Sequence, residues 1–213
     1  MPLVALGLAL VAYSVATTPR TVPGRPPLVA FDPQLTGHLE QQAWAAYYYR
    51  QWPQLFDQLL RLARSQFGLS LPQALYASYL ATQAQVAWAR QGDREGLAEA
   101  YMRRFYEFVR EPTAGSYDPR RAAELEIRWW AVHRQRDEYP DNTALAAALA
   151  ATYAEVYRQP PERMLEAAEA RAAAMDLSDQ WVREGQPPDS PLPDEIAGLL
   201  VASYRALSDA VGS

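Results

Sequence analysis

Cysteine is absent from this chain, which excludes disulfides, zinc–thiolate sites, iron–sulfur clusters and a thiol nucleophile. Lysine is absent as well: all 20 basic residues are arginine. Uniform arginine usage over a whole chain is most simply explained by coding bias, and no function is read from it. Histidine occurs only at positions 38 and 133. The net charge is −5, and no basic run follows a helix face. That footprint is what phosphate recognition requires, so nucleic acid is not expected as a partner. Alternating apolar runs bounded by hairpin turns are missing, as are β-branched clusters, so strands are not expected. There is no phosphate-binding glycine loop, no dinucleotide fingerprint and no Gly-x-Ser-x-Gly elbow.

What is present is helix-forming. Ala, Leu, Arg, Gln and Glu dominate, and hydrophobic residues make up 49% of the chain, ample for a buried core. Three parts separate. Residues 1–17 carry the uncharged stretch Leu3–Thr17, shorter than the roughly 20 residues of a comfortable membrane span and close to a signal-peptide core. Arg20 and Arg25 follow it, so a retained segment would keep the domain on the cytoplasmic side. Cleavage after Ser14-Val15-Ala16, with an exported or periplasmic domain, is the alternative. Residues 18–31, rich in proline, read as an extended tether. Residues 32–213 read as one domain.

Within the domain, helix starts and stops follow from capping chemistry. Asp32-Pro33 and Asp118-Pro119 are aspartate–proline starts; Ser70 with Pro72, Asp93, and Asp141 or Asn142 open others. Phe67-Gly68, Gln91-Gly92, Pro112 and Pro140 are stops, and Pro160-Pro161 begins a helix running to about Arg183. A loop over 185–193 precedes a last helix over 194–210. The spacing predicts an all-α antiparallel bundle of about six or seven helices, the first long one kinked or broken near Pro53. Ala81 to Phe108 has the look of one tetratricopeptide-like helix pair, with no second copy at a fixed period.

Two stretches could carry chemistry. In Trp44–Trp52, Tyr47 and Tyr48 share a face with Trp44, and Arg50 lies further round. Such side chains line pockets for flat or anionic ligands, although aromatic stripes at helical spacing more often fill a core. In Glu124–Arg134, the residues Glu126, Trp130 and His133 fall on one face, followed by Arg134. His133 is a candidate base or ligand, or a hydrogen-bonded boundary residue. Together Tyr47, Tyr48, Arg50, Trp130, His133 and Arg134 are the ligand-pocket candidates.

A carboxylate-bridged metal site would draw on Glu107, Glu126 and His133, with Glu40, Glu166 and Glu169 behind them. It would need Glu three residues before a histidine, yet Trp130 and Leu35 hold those positions. No metal, cofactor or catalytic residue is therefore assigned. Asp176 or Asp179 could pair with an arginine of a neighbouring helix as a structural ion pair.

The stretches Ala43–Trp52 (AW-x-x-YY-x-R-x-W) and Leu125–Arg134 (LE-x-x-WW-x-x-HR), with Phe67-Gly68, Phe105–Glu107 and Ser178–Trp181, resemble an uncharacterised family of bacterial all-helical proteins. The resemblance implies a helical domain behind an apolar segment, and no activity. The expected function is a non-catalytic, membrane-tethered scaffold engaging a protein partner, anchored through Leu3–Thr17. The alternative is a helical bundle, enzyme or not, that binds a small molecule or a metal in the Tyr/Trp/His/Arg pocket.

Overall fold

Asp32 and Asp118 terminate their helices as an aspartate before proline can. Asp32 Oδ1 accepts from the backbone N–H of Gln34 (2.9 Å) and Leu35 (3.3 Å), and Asp118 Oδ1 accepts from Arg120 N–H at 2.9 Å. Both satisfy donors that the first turn leaves without a helical partner. At Ser70 the backbone N–H donates to Gln73 Oε1 at 3.0 Å. Gly68, at φ 64°, stops a helix in the left-handed conformation that glycine adopts without steric cost.

The computed structural model describes residues 27–90, 95–135 and 141–212. The apolar segment Leu3–Thr17, the cap at Asp93 and the stop at Pro140 lie outside these residues. Eight α-helices follow one another: α1 Pro33–Tyr48, α2 Trp52–Phe67, α3 Leu71–Ala89, α4 Glu95–Arg110, α5 Pro119–Arg134, α6 Thr143–Tyr157, α7 Leu165–Arg183 and α8 Leu192–Gly212. Short 3₁₀ turns stand at Pro27–Val29 and Pro161–Met164. No strand occurs among the described residues, and none of the described helices is long and apolar enough to cross a membrane.

The all-α expectation holds, but the helix number exceeds six or seven among the described residues. The extra one comes from Pro53. Rather than kinking a long helix, it sits in the first turn of α2, where its missing N–H costs nothing. The stretch read as tether also reaches into the fold: Ala30 and Phe31 are fully buried and Leu28 nearly so.

Each helix packs against the next in sequence, neighbours run antiparallel, and α8 packs against α1. The chain thus closes into a ring instead of extending as a solenoid. An even number of members lets every neighbouring pair, including the first and last, be antiparallel. Closure is tight at Gly37, where a Cβ would lie 2.6 Å from the Val201 backbone nitrogen.

The seams between helices are filled largely by alanine and leucine. Ala74, Ala77, Ala84 and Leu80 pack among α2 to α5, and Ala167, Ala168, Ala172 and Leu207 pack among α6 to α8. Small side chains bring the backbones close. Many of the large aromatic residues, Trp44, Trp88, Trp129 and Trp130 among them, face the inside of the ring.

Candidate functional site

All eight helices contribute to one central cavity of about 650 Å³. The first seven present a stripe at the 3–4 residue spacing that keeps side chains on one helical face, and α8 contributes Tyr204. On α1 these are Glu40, Trp44 and Tyr47; on α5, Glu126, Trp130 and His133; on α7, Arg171, Met175 and Asp179. Because odd and even helices run in opposite directions, the stripes sort the lining by depth. The residues near the ends of the odd helices form a mouth. Those near their beginnings, with residues from the later turns of α2, α4, α6 and α8, form a floor.

The floor is built around Arg171. Its guanidinium pairs with Glu40 through both terminal nitrogens, Nη1 to Oε2 at 3.0 Å, and Nη1 donates to the Tyr153 hydroxyl at 3.3 Å. The guanidinium lies against the rings of Trp44 and Trp129, 5.6 and 5.5 Å from their centroids, a favourable placement for a desolvated cation. Burial is the largest single influence and would depress the Arg171 pKa, but Glu40, Tyr153, Tyr204 and Glu126 together outweigh it and hold the guanidinium charged.

Glu126 is the second floor acid. Its Oε2 accepts from the Tyr106 hydroxyl at 3.0 Å and its Oε1 from Trp130 Nε1 at 3.2 Å. Burial raises its pKa, only partly countered by Arg171 and by the donors around it. Burial likewise pushes up the phenols of Tyr106, Tyr153 and Tyr204. They stay protonated and serve as hydrogen-bond donors. Glu126 keeps partial exposure although it is deep in the fold, because the surface it retains faces the cavity.

The mouth is tied together differently. Arg134 Nη2 donates to the Trp88 carbonyl at 2.7 Å, and its guanidinium stacks 3.7 Å over the Trp88 ring. Arg50 Nη1 reaches the Ala89 carbonyl at 3.5 Å and lies 5.6 Å from the ring centroids of both Tyr47 and Trp52. His133 Nε2 lies 3.2 Å from Asp179 Oδ2. Tyr49 packs edge-on against Trp181 at 5.6 Å and donates to the Gln186 carbonyl at 3.3 Å. These contacts link the last turns of α1, α3, α5 and α7 to one another across the ring. Arg50 and Arg134 are exposed, so this end communicates with solvent.

The six residues singled out from the sequence, Tyr47, Tyr48, Arg50, Trp130, His133 and Arg134, all line this one cavity. The metal candidates are not brought together. Glu107 is half-exposed and faces Arg103 at 3.6 Å. Glu126 and His133 share α5 but stand two turns apart, about 10 Å along the axis. No group of three metal-type ligands occurs among the described residues. Asp179 contacts His133 and Asp176 contacts Asn142. His38 lies away from the cavity, with Nδ1 2.7 Å from the Gln34 carbonyl.

Arg171, Tyr153 and Tyr204 escaped the sequence reading. A signal was present at Arg171, an isolated charge within the alanine stripe Ala168, Ala172 and Ala174 that the fold buries. Glu40, between Leu39 and Ala43 in the buried part of α1, is the opposite charge that such a residue needs.

The protein is, in class, an all-α ring of eight described helices around an aromatic, charged cavity. In comparison with known proteins, the chain matches no family model, no curated protein and no solved structure.

Proposed function

We propose that this protein is a small-molecule binding protein that holds a planar, largely apolar organic molecule in the central cavity. The observation that carries the reading is the cavity lining. Every helix sends residues inward, and the lining sets the rings of Trp44, Tyr47, Trp88, Trp129 and Trp130 and the charged groups of Glu126 and Arg171 among aliphatic neighbours. A volume of about 650 Å³ falls within the range of pockets that enclose drug-sized ligands. Packing for stability alone favours filling such a space, since even methyl-sized voids cost about 1 kcal/mol. Trp and Tyr faces offer stacking surfaces, and the few polar groups among them fix orientation.

The neutral fluorophore N-phenyl-1-naphthylamine tests this. Titrated into the full-length chain, it is expected to bind saturably at one site per chain in the micromolar range and to quench tryptophan emission. Ala81→Trp and, independently, Ala63→Phe place bulk in the cavity and should abolish binding while circular dichroism shows the helices intact. Absence of saturable binding, or binding unchanged in both folded variants, would overturn the reading.

The scaffold reading has one supporting feature, the exposed pair Tyr76 and Tyr79 on the outer face of α3, each 47% exposed. The other exposed large apolar residues among the described ones, Tyr49, Leu97, Leu165 and Val182, belong to the end of α1, to α4 and to α7. A docking face would gather them into one patch.

A further inference from the structure

We infer that the ligand is an organic anion, its oxyanion held at the mouth by Arg50 with support from Arg134 and its aromatic body directed inward. This rests on the cavity-binding reading above and adds the chemical class and the orientation.

The charges of the cavity are arranged along its depth. At the floor, Arg171 is committed to Glu40, and Glu126 is surrounded by donors from the protein itself. A ligand anion placed there would meet two carboxylates and a cation already paired. At the mouth the balance reverses. Asp179 stands against His133, and among the described lining residues Arg50 and Arg134 bring two guanidiniums to one carboxylate.

Arg50 pairs with no carboxylate among the described residues, and its one backbone contact, to Ala89, is long at 3.5 Å. A guanidinium carries five N–H donors in a planar fork suited to an oxyanion, so most of the donors of Arg50 remain for a ligand. Arg134 is more firmly held on Trp88 and contributes mainly charge. Both arginines draw down the Tyr47 phenol against the burial that raises it, so both act on the same hydroxyl at the cavity edge. The negative ends of helix dipoles, a natural objection, are met at α3: its terminal carbonyls at Trp88 and Ala89 are the ones the two guanidiniums cover.

Arg50 adopts the left-handed backbone conformation, φ 57°. Ala114, Arg158 and Gln186 adopt it too.

The test compares two probes that share a body. 1-Anilinonaphthalene-8-sulfonate is N-phenyl-1-naphthylamine with an added sulfonate. The full-length wild-type chain should bind the sulfonate about tenfold more tightly, the gain expected of charge-assisted hydrogen bonds at a partly exposed site. Added salt should shrink that difference without moving the neutral probe. Arg50→Gln should erase most of it, Arg50→Lys should retain part, and Arg134→Gln should reduce it less than Arg50→Gln. Ala81→Trp should abolish binding of both probes.

Equal affinity for the two probes, or a sulfonate preference untouched by Arg50→Gln, overturns the anion inference and leaves the cavity reading standing. Sulfonate binding that survives Ala81→Trp places the anion on the outer surface and overturns the inference as well. Failure of both probes to bind the wild-type chain overturns both readings.

Discussion

The floor and the mouth of the cavity use similar residues to opposite ends. Both contain arginine, acid and tryptophan. At the floor Arg171 is nine-tenths buried and paired with an equally buried Glu40, with 11% and 8% of their side chains exposed. At the mouth Arg50 and Arg134 are exposed and lean on carbonyls and rings. A buried charge needs a dedicated partner, because losing one member strands the other in a poorly solvating interior. An exposed charge keeps water as a substitute and stays open to exchange. The floor is therefore a structural clamp joining α1, α6 and α7, and the mouth is the part able to accept something from outside.

The sharpest way to break this contrast is to remove one arginine from each tier. Arg171→Met should lower unfolding stability by about 3–5 kcal/mol because Glu40 is left buried and unpaired. Converting Glu40 to Leu in the same chain should restore much of that. Arg134→Met, which loses its stacking and hydrogen bond on Trp88 at an exposed position, should cost clearly less, about 1 kcal/mol. Equal losses in denaturant titrations would dissolve the distinction between clamp and gate.

Gly37→Ala addresses the closure both tiers depend on. The added methyl collides with the backbone of α8, and overpacking of this kind costs about 1–3 kcal/mol. Binding of the neutral probe should weaken with it, since the ring encloses the cavity only while α1 and α8 stay together. A variant of unchanged stability would show that the closure is looser than its geometry.

A pH comparison separates Glu126 from its surroundings. The folded protein holds the Glu126 proton more tightly than the unfolded chain does. Stability from this group is therefore highest at low pH and declines as pH rises from the ordinary carboxylate range through the folded-state value. Glu126→Gln cannot ionise and should lack that decline. The stability of wild type relative to the variant should fall with rising pH, and a constant difference would place Glu126 in a better-solvated site.

The smallest effect is expected at the mouth. Arg50→Gly relieves a left-handed backbone and should leave stability unchanged or raise it by up to about 1 kcal/mol. The same substitution should erase the preference for the sulfonate probe. Thermal unfolding of this variant, set beside its binding data, would show whether a residue kept for its charge is held at a cost to stability.

Much of this protein could be read from order and spacing. The aspartate–proline starts, the glycine stop at position 68 and the apolar repeats are local signals, and they placed the helices within a turn or so. The candidate pocket was legible because WAAYYYRQW and ELEIRWWAVHR concentrate side chains that combine an apolar body with a polar tip. That both line the same cavity was not legible, since nothing local relates position 47 to position 133. Arg171 was overlooked for a related reason. On its own helix it is one of several charges set among alanines, and its partners Glu40 and Tyr153 are distant in the chain. Pro53 was ambiguous because proline kinks a helix interior and suits a first turn equally well, and only the neighbouring backbone distinguishes the two.

Local chemistry accounts for the helices, their ends and the two-sided character of each, because capping, proline and apolar periodicity act over a few residues. Whether those helices stack in a line or return to their start is a long-range matter. It turns on the contact of α8 with α1 at Gly37 and Val201, where room for backbone against backbone depends on parts of the chain far apart in sequence. Closure also joins the lining residues of separate helices into one surface, and from that follow the pairing of Arg171 with Glu40, the raised pKa of Glu126 and the separation of floor from mouth.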